Sequence, residues 1–190
     1  MSTQTNRQQV KVWDGFVRFF HWSLVLSFIA AYLTFQLGMQ ETHAILGYFI
    51  TGLIVFRVTW GFIGSKYARF SDFIYSPKTV ISYVKSIRSG HPAHYLGHNP
   101  AGGAMVLALL LALVIITVSG LVILGIIEFD GPLVGILHNI SDETAYTFRE
   151  IHEVGINVML VLIGLHIVGV ILASVQHKKN LVKAMLTGYK

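Results

Sequence analysis

Residues 151–177 read IHEVGINVMLVLIGLHIVGVILASVQH, and from Val154 to His177 there is no Asp, Glu, Lys or Arg for 24 residues. A helix needs about 20 mostly apolar residues to cross a bilayer, so this stretch is long enough to span one. The same test finds three more stretches. Phe19–Gln40 is uncharged for 22 residues, Ser89–Ile127 for 39, and Thr42–Ser65 contains only Arg57. Lipid leaves no partner for irregular backbone, so all four are expected to be helices. The predicted spans are 16–37, 43–63, 103–127 and 151–175. The fold class is therefore all-α, a transmembrane four-helix bundle in a single domain covering residues 1–190.

Composition agrees. Only 12% of the 190 residues are charged, against about 25% for a soluble domain. There is no cysteine, which excludes iron–sulfur clusters, thiolate zinc sites, disulfides and covalently attached haem. The first span has no small-residue cleavage site after it and reads as a retained helix, not a signal peptide.

Orientation comes from the basic residues. Of the 14 Lys and Arg, 13 lie in the N-terminal segment, near the end of the second span, in the loop between spans two and three, or at the C-terminus; Arg149 is on the other side. The positive-inside rule places both termini in the cytoplasm of a bacterial inner membrane. The opposite side carries Glu41, Glu128, Asp130, Asp142, Glu143, Glu150 and Glu153. The net charge of +5 is thus a topology signal and a contact for anionic lipid, not a nucleic-acid footprint. Within the basic loop, Ser76-Pro77 reads as a helix N-cap with proline in the first turn. Val80, Ile81, Val84 and Ile87 form an apolar stripe behind it, so a short cytoplasmic amphipathic helix is expected.

Polar residues at membrane depth are costly and default to functional. Four histidines qualify: His21, His43, His152 and His166. At about 1.5 Å rise per residue, His21 lies about 7 Å below the inner end of span one, and His166 about 22 Å into span four from the outer side. These are similar levels. His43 and His152 both stand at outer helix starts. The depths pair His21 with His166 and His43 with His152. His152 and His166 are 14 residues apart, so they face nearly the same way and are about 21 Å apart along the axis.

Each level offers two imidazoles. A zinc site takes three or four protein ligands, whereas a haem iron needs only two axial ones. Two haems b with bis-histidine ligation satisfy the pattern, and such a six-coordinate iron transfers electrons instead of binding oxygen. Gly47, Gly155 and Gly169 fall on the histidine side of their helices and leave room for a porphyrin face. Arg18, Arg57 and Arg149 lie near the histidine levels and are candidates for pairing with haem propionates. His138 is a rival ligand at the outer level. His91, His94 and His98 belong to the inner loop, and His98 is a candidate contact for quinone or propionate. Trp13, Trp22 and Trp60 read as an interfacial belt, and His177 as a headgroup contact.

The stretches Trp13–Trp22 (WDGFVRFFHW), His43–Gly47 (HAILG) and Arg57–Gly61 (RVTWG), together with His152 and His166, resemble the bacterial diheme cytochrome b family. That family includes cytochrome b561 and the cytochrome b subunit of nickel–iron hydrogenases, and the resemblance covers nearly the whole chain. It implies haem b at the histidine pairs and membrane quinone (ubiquinone or menaquinone) as a redox partner. Gly97–Gly103 (GHNPAGG) and Asn180–Gly188 (NLVKAMLTG) resemble members that work with separate c-type cytochromes. The expected function is electron transfer between quinone and a periplasmic partner, a c-type cytochrome steered by the acidic outer face or another redox protein. Alternatives are superoxide oxidation or ferric reduction at the outer haem, the membrane anchor of a hydrogenase or dehydrogenase, and a histidine-lined metal transporter. The sequence is also compatible with a homo-oligomer.

Overall fold

The computed structural model describes residues 10–90, 92–137 and 140–190, the side chains at 88 and 142 excepted. His91 and His138, and Arg7 at the N-terminus, lie outside the described residues. Four helices are long and apolar enough to cross a membrane: α1 (Gly15–Gln36), α2 (Gln40–Ile63), α5 (Pro100–Ile127) and α7 (Asp142–Gln176). Between and after them, among the described residues, lie a 3-10 turn (Lys66–Ala68) and four shorter α-helices: α3 (Phe70–Phe73), α4 (Pro77–Arg88), α6 (Val134–Leu137) and α8 (Leu181–Thr187). No strand is formed among the described residues; Lys11 and Tyr189 make one isolated antiparallel bridge.

The helix boundaries have local chemical causes. The Val17 N–H donates to Asp14 Oδ1 at 2.8 Å, which caps α1. Gly38 adopts φ +74° and turns the chain directly into α2, so the two helices pack antiparallel. The Thr79 N–H donates to Ser76 Oγ at 3.2 Å with Pro77 following, which starts α4. Tyr83 is the buried residue of α4, while Ile81 and Val84 stay exposed. The Gly102 N–H donates to Asn99 Oδ1 at 2.7 Å, again with proline in the first turn, and starts α5.

One expected boundary is corrected. The fourth spanning helix begins at Asp142, not near residue 151. Residues 142–150 are polar enough to stand outside lipid, yet they continue the same helix. Charge marks where the solvent changes, not where the backbone hydrogen bonding does. His152 is therefore well inside its helix.

The core is built on α5. Its Leu113 and Ile116 meet Ile50 and Ile54 of α2, Ala31 of α1 and Met159 of α7. Gly103 lies so close to the Phe73 carbonyl that a Cβ there would collide with it. α7 packs along α5 but makes almost no close backbone approach to α1 or α2. Buried hydroxyls are satisfied within their own helices: Ser119 Oγ donates to the Ile115 carbonyl at 2.7 Å and Ser27 Oγ to the Ser23 carbonyl at 2.7 Å.

The two chain ends are tied together at the basic end of the bundle. Val10 and Lys190 exchange backbone hydrogen bonds at 3.0 and 3.1 Å, and the Val12 N–H donates to the Gly188 carbonyl at 2.8 Å. Arg18 Nη1 donates to the Leu186 carbonyl at 2.5 Å, and Trp22 Nε1 to the Met185 carbonyl at 3.4 Å. A cation at the carbonyl end of α8 also complements its dipole.

Candidate functional site

The structure brings the four span histidines into two pairs. The His21 and His166 ring centres are 6.5 Å apart, and those of His43 and His152 are 6.2 Å apart. A metal–imidazole bond is about 2 Å and the ring centre lies about 1 Å beyond its nitrogen, so two imidazoles on opposite sides of one metal have centres about 6 Å apart. Both pairs have that spacing. α7 supplies one histidine to each pair, while α1 and α2 supply the others. No group of three or more His, Asp or Glu gathers into a metal-binding cluster among the described residues.

The pair at the acidic end is oriented by the backbone. His43 Nδ1–H donates to the Ala31 carbonyl at 2.9 Å, and His152 Nδ1–H to the Ile116 carbonyl at 2.9 Å. A carbonyl only accepts, so both protons sit on Nδ1 and both Nε2 atoms are left unprotonated, the tautomer a metal ligand requires. Ser119 Oγ stands 3.2 Å from His152 Nδ1. Gly120 lies against the His152 ring: a Cβ there would be 3.2 Å from Cε1. In the other pair, His21 Nδ1 is buried without a partner.

Two of the helix glycines have open space beside them. A Cβ at Gly47 or Gly169 would meet nothing within 4 Å. Gly155 is different and corrects the sequence reading. Its missing side chain accommodates Ile116 of α5, whose Cγ1 would be 2.9 Å from a Cβ there, so it is a helix-packing glycine. Met159 lies seven residues from each α7 histidine, on the same face, and is 2% exposed. It closes the space between the two levels with an apolar side chain, a role its lone position in the sequence did not signal.

The arginines separate. Arg57 is 3% exposed. Its Nη2 donates to the Ala68 carbonyl at 3.2 Å, its guanidinium faces the Phe70 and Phe73 rings at 5.3 and 5.7 Å, and its Nη1 is buried without a partner. It does not snorkel to the surface. Arg18 is committed to Leu186, but its Nε is also buried and unpartnered. Arg149 is exposed and pairs with Glu153 at 3.1 Å, a surface ion pair of little energetic weight.

His98 sits between Trp13 and Phe73, with ring centres 4.6 and 4.8 Å away, and its Nδ1 is buried and unpartnered. Burial, and then the charges of Lys190, Arg57 and His166, push its pKa down to about 3, so the ring is neutral. Trp13 is itself buried, a correction to its reading as an interfacial belt residue. Asp14 ties the neighbouring elements together: it accepts from Trp60 Nε1 at 3.1 Å and from Ser65 Oγ. Burial alone would raise its pKa, but the bonds from Ser65, Val17 and Trp60 prevail and hold it below the usual carboxylate value.

No solved structure matches the chain. Over 219 aligned positions, covering 96% of this chain and 89% of the relative, it is 24% identical to a protein of Rhizobium leguminosarum bv. viciae named "Probable Ni/Fe-hydrogenase B-type cytochrome subunit". Residues 12–188, which include both histidine pairs, match the family described as prokaryotic cytochrome b561, and the chain belongs to that family.

Proposed function

We propose that this membrane cytochrome b carries electrons between membrane quinone and a redox protein docked at its acidic end, using two b haems held by His21 with His166 and by His43 with His152. The observation that carries the reading is the pair of imidazole couples, 6.5 and 6.2 Å between ring centres, set about 21 Å apart along one helix. A b haem with two axial histidines supplies a one-electron iron couple with no open coordination position. The chain's own part is to orient and insulate. The Ala31 and Ile116 carbonyls hold the Nδ1 protons of His43 and His152 and raise the basicity of their Nε2 atoms. Met159 and the surrounding aliphatic core keep water out between the two levels. Arg57 offers a buried cation at the depth of the His21–His166 pair. Its free Nη1 suits a propionate.

The basic end is taken as cytoplasmic and the acidic end as periplasmic, in a bacterial inner membrane. Glu41, Glu128, Asp130, Glu143, Glu150 and Glu153 are exposed at that acidic end, which suits a basic c-type cytochrome. In proteoliposomes, quinol should drive reduction of a basic c-type cytochrome added at the acidic face. The rate should fall several-fold between about 10 and 150 mM salt, as the Debye length shortens from about 30 to 8 Å. A rate that ignores salt, or no reduction at all, removes the partner assignment.

The name of the Rhizobium relative favours a second reading, in which the chain is the membrane cytochrome of a hydrogenase. Purification at low salt from native membranes should then bring down a nickel-containing subunit in stoichiometric amount. Its absence would leave the first reading.

A further inference from the structure

At the basic end, beside the tied chain ends, a recess is lined by His94, His177, Lys179 and Lys190. The two imidazoles stand edge to face, 5.3 Å between centres. Lys190 is held in place: its ammonium donates to the Leu96 and Gly97 carbonyls at 2.9 and 3.1 Å and lies 5.3 Å from the Trp13 ring centre. Asn99 also lines the recess and is the N-cap of α5, so the positive end of a 28-residue helix dipole abuts it.

No acidic side chain among the described residues lines this recess. The basic groups therefore disfavour one another's charge. Burial, followed by Lys179, His177 and Lys190, lowers the His94 pKa. Burial, followed by Lys179, lowers that of Lys190 to about 8. Collecting like charges in a partly buried recess is unfavourable unless an anion supplies the missing counter-charge. Ala173, in the last turns of α7, forms the apolar side of the recess. His177, the C-cap residue of the same spanning helix, lines it as well. The recess thus sits at the level where a spanning helix leaves hydrocarbon.

We propose that His94, His177, Lys179 and Lys190 form a binding site for a phosphate group, presented by an anionic phospholipid of the leaflet at the basic end. The geometry favours a lipid over a free phosphate because the recess lies where a spanning helix ends, with Ala173 and Leu181 as its apolar lining.

The test uses the full chain as purified, with haem, in a neutral detergent. Binding of dioctanoyl phosphatidylglycerol, dioctanoylglycerol and inorganic phosphate is followed by titration calorimetry. One saturable site for phosphatidylglycerol is expected, with none for dioctanoylglycerol, and at least tenfold weaker binding in Lys179→Gln. Lys190→Gln should weaken binding as well, but it also removes the bonds to Leu96 and Gly97. His177→Gln, which disturbs no such bond, is therefore the second variant. An unchanged haem spectrum and melting temperature confirm that each variant is folded. Equal phosphatidylglycerol affinity in wild type, Lys179→Gln and His177→Gln overturns the site. Binding of inorganic phosphate without binding of the lipid overturns the lipid assignment.

Discussion

Replacing His166 by leucine is expected to leave the purified chain with one haem, against two expected in the unaltered chain, measured as the pyridine haemochrome. His166 stands 6.5 Å from His21, ring centre to ring centre. The two rings are the only imidazoles brought together at that level by α1 and α7 among the described residues. Without His166, that level would keep a single imidazole, that of His21. The remaining haem should stay low-spin. His43 and His152 lie about 21 Å away along α7, are fixed by their own carbonyl partners, and share no contact with the altered position, so the two sites should behave independently. Electron flow from one end of the bundle to the other should drop to background. His152→Leu should do the converse, emptying the other level and sparing this one. Two haems retained in the His166→Leu chain would remove that residue as a ligand. A single haem in the unaltered chain would dismiss one of the two pairs.

Arg57→Leu is expected to lower the midpoint potential of the haem at the His21–His166 level while leaving the other in place. Arg57 is almost wholly buried, and only one of its two terminal nitrogens has a protein partner. A buried cation of this kind favours the reduced, less positive iron, so its removal shifts the potential negative. For a unit charge about 10 Å away in a medium of effective dielectric about 20, the interaction is ~1.7 kcal/mol. At about 59 mV per tenfold for one electron, that is on the order of 70 mV. Arg57→Lys keeps the charge and should restore most of the potential, though a lysine cannot reproduce the forked contact. A folded Arg57→Leu chain whose two potentials are both unchanged would assign Arg57 to packing beneath Phe70 and Phe73 alone.

The parts of this protein that were legible in its sequence are those governed by the solvent. The uncharged run from Val154 to His177 marked a crossing because hydrocarbon excludes charge. The alternation of basic and acidic connections marked which helix ends lie together. The rise of a helix is constant, so the depth of each histidine, and hence its partner, could be counted from the same information. The start of α7 was not legible in this way, because Asp142 to Glu150 are helical in water as readily as Val154 onward are helical in lipid.

Other features depended on which helix meets which. α5 is apolar on every side, so its pattern does not say which face is buried. Gly155 and Gly120 look equally suited to clearing a ring. Only the packing of α5 on α7 shows that the first makes room for Ile116 and the second for His152. Trp13, His98 and Lys190 are remote in the chain, and no periodicity links them. They meet because the chain ends are tied together by backbone hydrogen bonds beneath the α4–α5 connection. The sequence alone determined the number of spans and the level of each histidine, because both follow from lipid exclusion and a fixed rise per residue. The tertiary structure decided which side chains share a pocket, because that depends on the relative rotation and closeness of helices, which one chain's residue pattern does not encode.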